Sequence, residues 1–288
     1  MFSMCDFEYA SLQFGKWTAK ICPSFGMNVY SLSHSGKEIL RSPENLETLK
    51  SSPYLYGIPL LFPANRTKMG EFQFDGKMYR LPLNEPERGN HIHGLMFDAP
   101  FTVNRKTESC ICAVYENVSE RYPFPFRMEI TDSLSEKGFH RVVSILNAGN
   151  APFPYTLAFH TTFKEPECMR VFIQKRFVCD ENYIPTGEFA KLNALEKQYA
   201  SGISPNGHAL SGFYVSNGNK AYLDEIAFCV SDNFDEWVLF NAGGDKGFVC
   251  IEPQAGQVNG LNTKDGLRIL KAGQTHVFTL SITREEDE

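Results

Sequence analysis

The sequence predicts an all-β fold, a large antiparallel β-sandwich with very little helix. Three observations predict it. Strand-like runs recur along nearly all of the 288 residues, turn signals rich in Gly, Asn and Asp separate them, and helical periodicity is scarce. The 24 Phe and 12 Tyr, with 22 Gly and 16 Pro, fit the same fold. Aromatic side chains suit a pleated, half-buried surface, and Gly and Pro punctuate turns. One domain over 1–288 is expected, because an all-β chain of this length can share one core.

In chain order, strand-like runs fall at 17–21 and 27–32. Residues 43–50 (Pro-Glu-Asn-Leu-Glu-Thr-Leu-Lys) carry the best helical pattern, a short turn of helix at most. The run 72–74 ends on Asp75-Gly76-Lys77, a hairpin signal. Then come 110–115, 126–134 and 140–147, with turns expected at Glu136-Lys137-Gly138 and Asn147-Ala148-Gly149-Asn150. The run 154–163 reads as one strand. Alternation puts Tyr155, Leu157, Phe159 and Phe163 on a core face, and Thr156, Ala158, His160 and Thr162 on a small polar face. Later runs are 171–178, 221–230, 236–241, 247–252 and 276–283. Turns are expected at Ser216-Asn217-Gly218-Asn219 and Ala242-Gly243-Gly244-Asp245, and a frayed acidic tail at 285–288.

Composition narrows the function. The net charge of -6, with no basic arm, argues against nucleic acid or an anionic membrane as partner. No apolar run approaches the roughly 20 residues that cross a bilayer. Residues 1–8 lack a basic and an apolar signal region, so a cytoplasmic protein with reduced cysteines is expected. None of the eight cysteines forms a CxxC pair, and most read as small buried hydrophobes.

Two polar clusters interrupt this pattern: Asn90-His91-Ile92-His93-Gly94 and Ile251-Glu252-Pro253-Gln254. On an extended chain the imidazoles of His91 and His93 point the same way. A histidine and a carboxylate in one pocket make an acid and a base near neutral pH. A metal site is the rival reading. Cupins place a Glu a few residues after His-x-His, and the window Gly94 to Asp98 has none, so no metal and no cofactor is expected. His34, His140, His208 and His276 lack polar company and read as surface or turn residues. Buried Arg and Glu are costly unless paired or facing a ligand, which favours a site around Asn65-Arg66 and Glu252.

The run from Pro63-Ala64-Asn65-Arg66 through Gly70-Glu71-Phe72-Gln73-Phe74-Asp75-Gly76-Lys77-Met78-Tyr79-Arg80-Leu81 to Asn90 and His93-Gly94 resembles the aldose 1-epimerase (galactose mutarotase) family. So do His160 in its strand, Tyr183-Ile184-Pro185-Thr186-Gly187-Glu188, and Glu252-Pro253-Gln254. The resemblance implies a galactose mutarotase-like supersandwich with its active site in a cleft across one sheet. It implies that Glu252 is the catalytic base and His160 the catalytic acid. Arg66 and His93 would bind substrate, with Asn65 and His91 beside them and Asp245 or Asp235 as the family's substrate-binding aspartate. The partner would be a small sugar and the enzyme a monomer or homodimer. Leu95 and Thr162 depart from the galactose branch, which has a second Gly and an aromatic there. A hexose-6-phosphate mutarotase would want a cationic cluster, for which Arg66, Lys68, Arg80 and Arg88 are the candidates. A catalytically silent sugar-binding protein is the other alternative, although binding alone needs no acid–base pair.

Overall fold

A computed structural model describes residues 9–285. Residues 1–8, with Cys5 and the leader reading, and residues 286–288 of the acidic tail lie outside the described residues. Strands dominate, and the longest α-helix among the described residues is Leu46–Ser51. A fourteen-stranded sheet carries most of the chain, and an N-terminal four-stranded meander runs from Ala10–Phe14 to Lys37–Glu38. The strand pairs within both sheets are antiparallel. One apolar core draws side chains from Ala10 to Ile282, so the meander and the large sheet share it. The all-β sandwich expected from the sequence is what forms.

Period-two burial explains the strands. In Phe126–Ser135 buried and partly exposed residues alternate almost to the end, which keeps one face on the core and one toward solvent. The neighbouring strand Gly138–Asn147 contributes Arg141, whose guanidinium donates to both oxygens of Asp132 at 2.7 and 2.8 Å with both side chains fully buried. Arg141 also donates to the carbonyls of Ile58 and Met27, tying the meander to the sheet. A buried guanidinium survives here because the carboxylate and two carbonyls replace its water.

Several expected boundaries moved. The run 154–163 is three short strands, Phe153–Tyr155, Leu157–Phe159 and Thr162–Lys164. The reading of 221–230 as one strand is corrected to a hairpin: Asp224 takes φ +51 and Leu223 pairs with Ile226. The turn expected at 216–219 lies inside the strand Ser211–Leu223, at a shift in its register with Met169–Cys179. There Asn and Gly mark a bulge rather than a reversal. Strands Thr102–Lys106 and Pro185–Ala190 escaped the sequence reading because their residues are mostly exposed, so no apolar alternation marks them. The short helix begins one residue after Asn45, whose side chain accepts from the Thr48 amide at 2.9 Å. Its Leu49 packs with Cys22 and Phe25, fixing residues 51–55 at the rim of a cleft.

Candidate active site

The strand Phe248–Ala255 is buried along its whole length, and Glu252 sits in its middle. Its neighbours are in register on both sides of the cleft. Ala158 pairs with Gln254 and Thr162 with Cys250, so His160 falls opposite Glu252. On the other side Val238 pairs with Glu252 and Phe213 with Val238. Directly opposed residues share a face. Glu252, His160, Val238, Phe240, Phe213 and Ser211 therefore meet as the floor of a cavity of about 520 Å³.

His160 Nε2 lies 3.3 Å from Glu252 Oε1, with the side chains only 7% and 2% exposed. Burial pushes the Glu252 carboxyl well above its ordinary range, opposed by the charge of Arg66. Burial also lowers the His160 imidazole, to about 4. Both shifts disfavour charge, so the pair favours a neutral acid beside a neutral imidazole and carries one proton in all.

Arg66 enters from the strand Arg66–Lys68, which pairs with Asn90–Ile92. Its Nε and Nη2 donate to the two oxygens of Glu85, each at 2.8 Å. Asn90 Nδ2 donates to the same carboxylate at 2.9 Å, and Arg88 Nη1 at 3.4 Å. Burial alone would raise Glu85, but the hydrogen bonds from Arg66 and Asn90 and the charges of Arg66 and Arg88 hold it below the usual carboxylate range. The guanidiniums of Arg66 and Arg88 lie 4.9 and 5.0 Å from the Tyr183 ring. Asn90 Nδ2 also donates to the carbonyl of Asn182, joining the Tyr183 loop to this wall.

His93 closes the other side. The strand ends at Ile92, and His93 takes φ +65 while its amide donates to Asn65 at 2.8 Å. Its ring meets His160 edge-on at 5.3 Å and Tyr54 at 4.5 Å. Burial lowers His93 well below the ordinary imidazole range, with His160 and Arg66 adding to it. Gly94 follows for a steric reason: a Cβ there would lie 2.1 Å from the Phe62 carbonyl oxygen. Asn65 lies behind Arg66, and its Nδ2 donates to Gln254 at 3.4 Å.

Two expected binding residues stand elsewhere. His91 does not share the direction of His93, because the chain leaves extended geometry between them. Its Nδ1 is 2.7 Å from the Pro82 carbonyl, and it does not line the cleft. Asp245 is exposed on a loop, paired with Lys246 at 3.0 Å, and is also absent from the lining. Asp235 accepts from the Gly256 amide and pairs with Arg268, again outside the lining. Of the cations considered for a phosphate, Arg80 pairs with Glu71 on the surface, Lys68 is exposed, and neither lines the cavity. His276 is a strand residue in contact with Tyr155 Oη at 2.6 Å, not a turn residue.

The sequence reading missed Glu85, Tyr54, Phe213 and Phe240. Glu85 reaches Arg66 across a loop, and no local pattern marks it. The three aromatics supply apolar lining, but in a chain with 24 Phe they do not stand out from core residues. One group of side chains has metal-ligand character among the described residues: His160, Cys250 and Glu252 bring one ligand atom each within 4.8 Å of one another.

The aldose 1-epimerase family model matches residues 10–283. The uncharacterised protein YihR of Escherichia coli strain K12 is 21% identical over 299 residues, covering 96% of this chain and 94% of its own. A galactose mutarotase-like protein from Clostridium acetobutylicum superposes with TM-score 0.88 at 24% identity, over 98% of this chain and 99% of that one. A galactose 1-epimerase from Lactobacillus acidophilus NCFM superposes with TM-score 0.78 at 14% identity, over 98% and 100% of the two chains.

Proposed function

The chain belongs to the aldose 1-epimerase family, and from that premise we propose that it is a mutarotase, interconverting the α and β anomers of an unphosphorylated aldose. The observation that carries this reading is the buried His160–Glu252 pair, 3.3 Å apart on the floor of a sugar-sized cleft. An anomer changes hand when the ring opens at C1–O5 and the aldehyde turns. Glu252 as carboxylate takes the O1 proton while His160 as imidazolium gives one to O5. The C1–O5 bond breaks, C1=O1 forms, and both protein charges vanish. Rotation about C1–C2 presents the other carbonyl face. Closure returns the proton from Glu252 to O1 and the O5 proton to His160.

The electrostatics of the pocket favour this cycle. The ring-opened complex holds the neutral acid and neutral imidazole that burial prefers. Forming the reactive ion pair moves one proton from Glu252 to His160 at a cost, and ring opening, which discharges that pair, returns the cost within the same step. The pair needs no net gain of protons, only transfer within the complex. Each positioned proton transfer contributes roughly 10²–10⁴-fold.

Arg66 and His93 bind the sugar's oxygens, and Tyr54, Phe213 and Phe240 provide apolar surface for its C–H faces. An unphosphorylated sugar is favoured because the two guanidiniums lining the cleft, Arg66 and Arg88, are both engaged by Glu85. A phosphate would have to compete with that carboxylate for them. Polarimetry on freshly dissolved α-D-glucose and α-D-galactose tests the reading, with Glu252→Gln as the control. Acceleration by wild type that the variant loses supports it. Equal rates for wild type and variant across a panel of aldoses overturn it.

A further inference from the structure

We propose that the floor of the cleft binds a thiophilic divalent cation, with Zn²⁺ the best fit, through His160, Cys250 and Glu252, and that the bound cation blocks the enzyme. The blocking rests on the mutarotase reading above; the binding does not.

Cys250 and Glu252 are two apart on one strand and so point to the same side of it. The register that sets His160 opposite Glu252 sets Thr162 opposite Cys250. The three side chains therefore converge, with one ligand atom each inside 4.8 Å. A tetrahedral zinc with Zn–N and Zn–O bonds of about 2.0–2.2 Å sets its nitrogen and oxygen ligands about 3.4 Å apart. His160 Nε2 and Glu252 Oε1 already stand at 3.3 Å. With a Zn–S bond of about 2.3 Å, sulfur sits about 3.6 Å from the other ligands. Cys250 thus needs to close by little more than about 1 Å from its outer limit.

The donor set selects the cation. One imidazole, one carboxylate and one thiolate suit zinc, whereas magnesium and calcium want oxygen ligands. A carboxylate and a thiolate also cancel the charge of a divalent cation, which is what a buried site requires. Thr162 Oγ1, 3.4 Å from Cys250 Sγ, is placed to donate to the thiolate and steady it. His160 and Glu252 line the cavity, so a water or a sugar oxygen from the cleft would complete the shell. On binding, the cation displaces the proton shared by His160 and Glu252 and the proton of the thiol. The pair can then neither accept from O1 nor donate to O5.

Cys250 is buried, does not line the cavity and takes no part in proton transfer, so Cys250→Ser separates the metal site from the reaction. The near-isosteric hydroxyl keeps the neighbourhood of Thr162 filled, and Cys250→Ala serves as a second variant. Chelator-treated wild type is titrated with Co²⁺ and then Zn²⁺, reading thiolate-to-cobalt charge-transfer absorption in the near ultraviolet and mutarotation in parallel. The expected result is one Co²⁺ per chain with that absorption, displaced by Zn²⁺, and inhibition with the same midpoint. Losing an outer-shell partner alone costs about 10–100-fold in metal affinity, so losing the sulfur ligand should raise the inhibitory Zn²⁺ concentration about 100-fold or more. Absence of the thiolate absorption, or equal Zn²⁺ inhibition of wild type and both variants, overturns the site. If chelated wild type does not accelerate mutarotation, the functional reading fails while the cobalt titration still decides the site.

Discussion

Glu85→Gln tests how the cleft holds its arginine. Glu85 accepts two 2.8 Å hydrogen bonds from Arg66, with side chains 14% and 7% exposed, and a third from Asn90. Glutamine keeps the shape and one acceptor, but it loses the charge and turns an amide donor toward other donors. Removing one partner of a buried pair costs about 3–5 kcal/mol. Arg66 keeps one open side on the cleft, so the low end applies, about 3 kcal/mol. At about 2–4 °C per kcal/mol for a chain of this size, the melting temperature falls by about 6–12 °C. The freed guanidinium turns toward Glu252, whose carboxyl already feels its charge. A hydrogen bond from a charged group is worth about 1.5–3 kcal/mol, so KM rises roughly 10–100-fold while kcat changes less. Glu85→Asp, which restores the charge at shorter reach, recovers part of both. Thermal unfolding and polarimetric kinetics on the two variants decide it. An exposed ion pair is worth only about 0–1 kcal/mol. A Glu85→Gln protein that loses no more than that, with unchanged KM, would refute the claim that Glu85 positions Arg66.

The acid limb of kcat/KM should lie near pH 4, because burial lowers His160 to about 4 and activity fails only when the pair takes up a second proton. A pH–rate profile with its acid midpoint at the ordinary imidazole value of 6.5 contradicts this. Gly94→Ala sets a methyl 2.1 Å from the Phe62 carbonyl oxygen at φ +66, so it should cost about 2 kcal/mol or more in denaturant unfolding and displace His93. A neutral effect on both stability and activity would show that His93–Gly94 is free to shift.

The fold class was legible because burial alternation and turn chemistry are local. Phe126–Ser135 shows its period over ten residues, and Asp75-Gly76 makes the two-residue turn between Phe74 and Lys77 that such a pair favours. Strand ends were less legible where the chain changes partner. The strand Ser211–Leu223 pairs with three others, and its Asn217-Gly218 serves a bulge. The split of 154–163 left His160 where alternation put it, since Ala158 and Thr162 keep one register with Phe248–Ala255.

In the site, Glu252, His160, Arg66, His93 and Asn65 meet around one cleft. Their types and strand faces could be read, and the family resemblance gave their order. His91 went the wrong way because a single left-handed residue, His93, cancels the i, i+2 rule. Asp245 sits on a loop whose direction no periodicity fixes. Glu85 was invisible because its role exists only through Arg66, nineteen residues away.

The central claim is that His160 gives a proton to O5 while Glu252 takes one from O1, the pair working as one unit. Polarimetry on fresh α-D-glucose and α-D-galactose with wild type, Glu252→Gln, His160→Asn and the double variant tests it most directly. Each single variant should lose roughly 10²–10⁴-fold. The double variant should be scarcely slower than either, because residues that act as a unit fail together. Wild type that binds sugar saturably without accelerating mutarotation, or single variants as fast as wild type, would contradict the account.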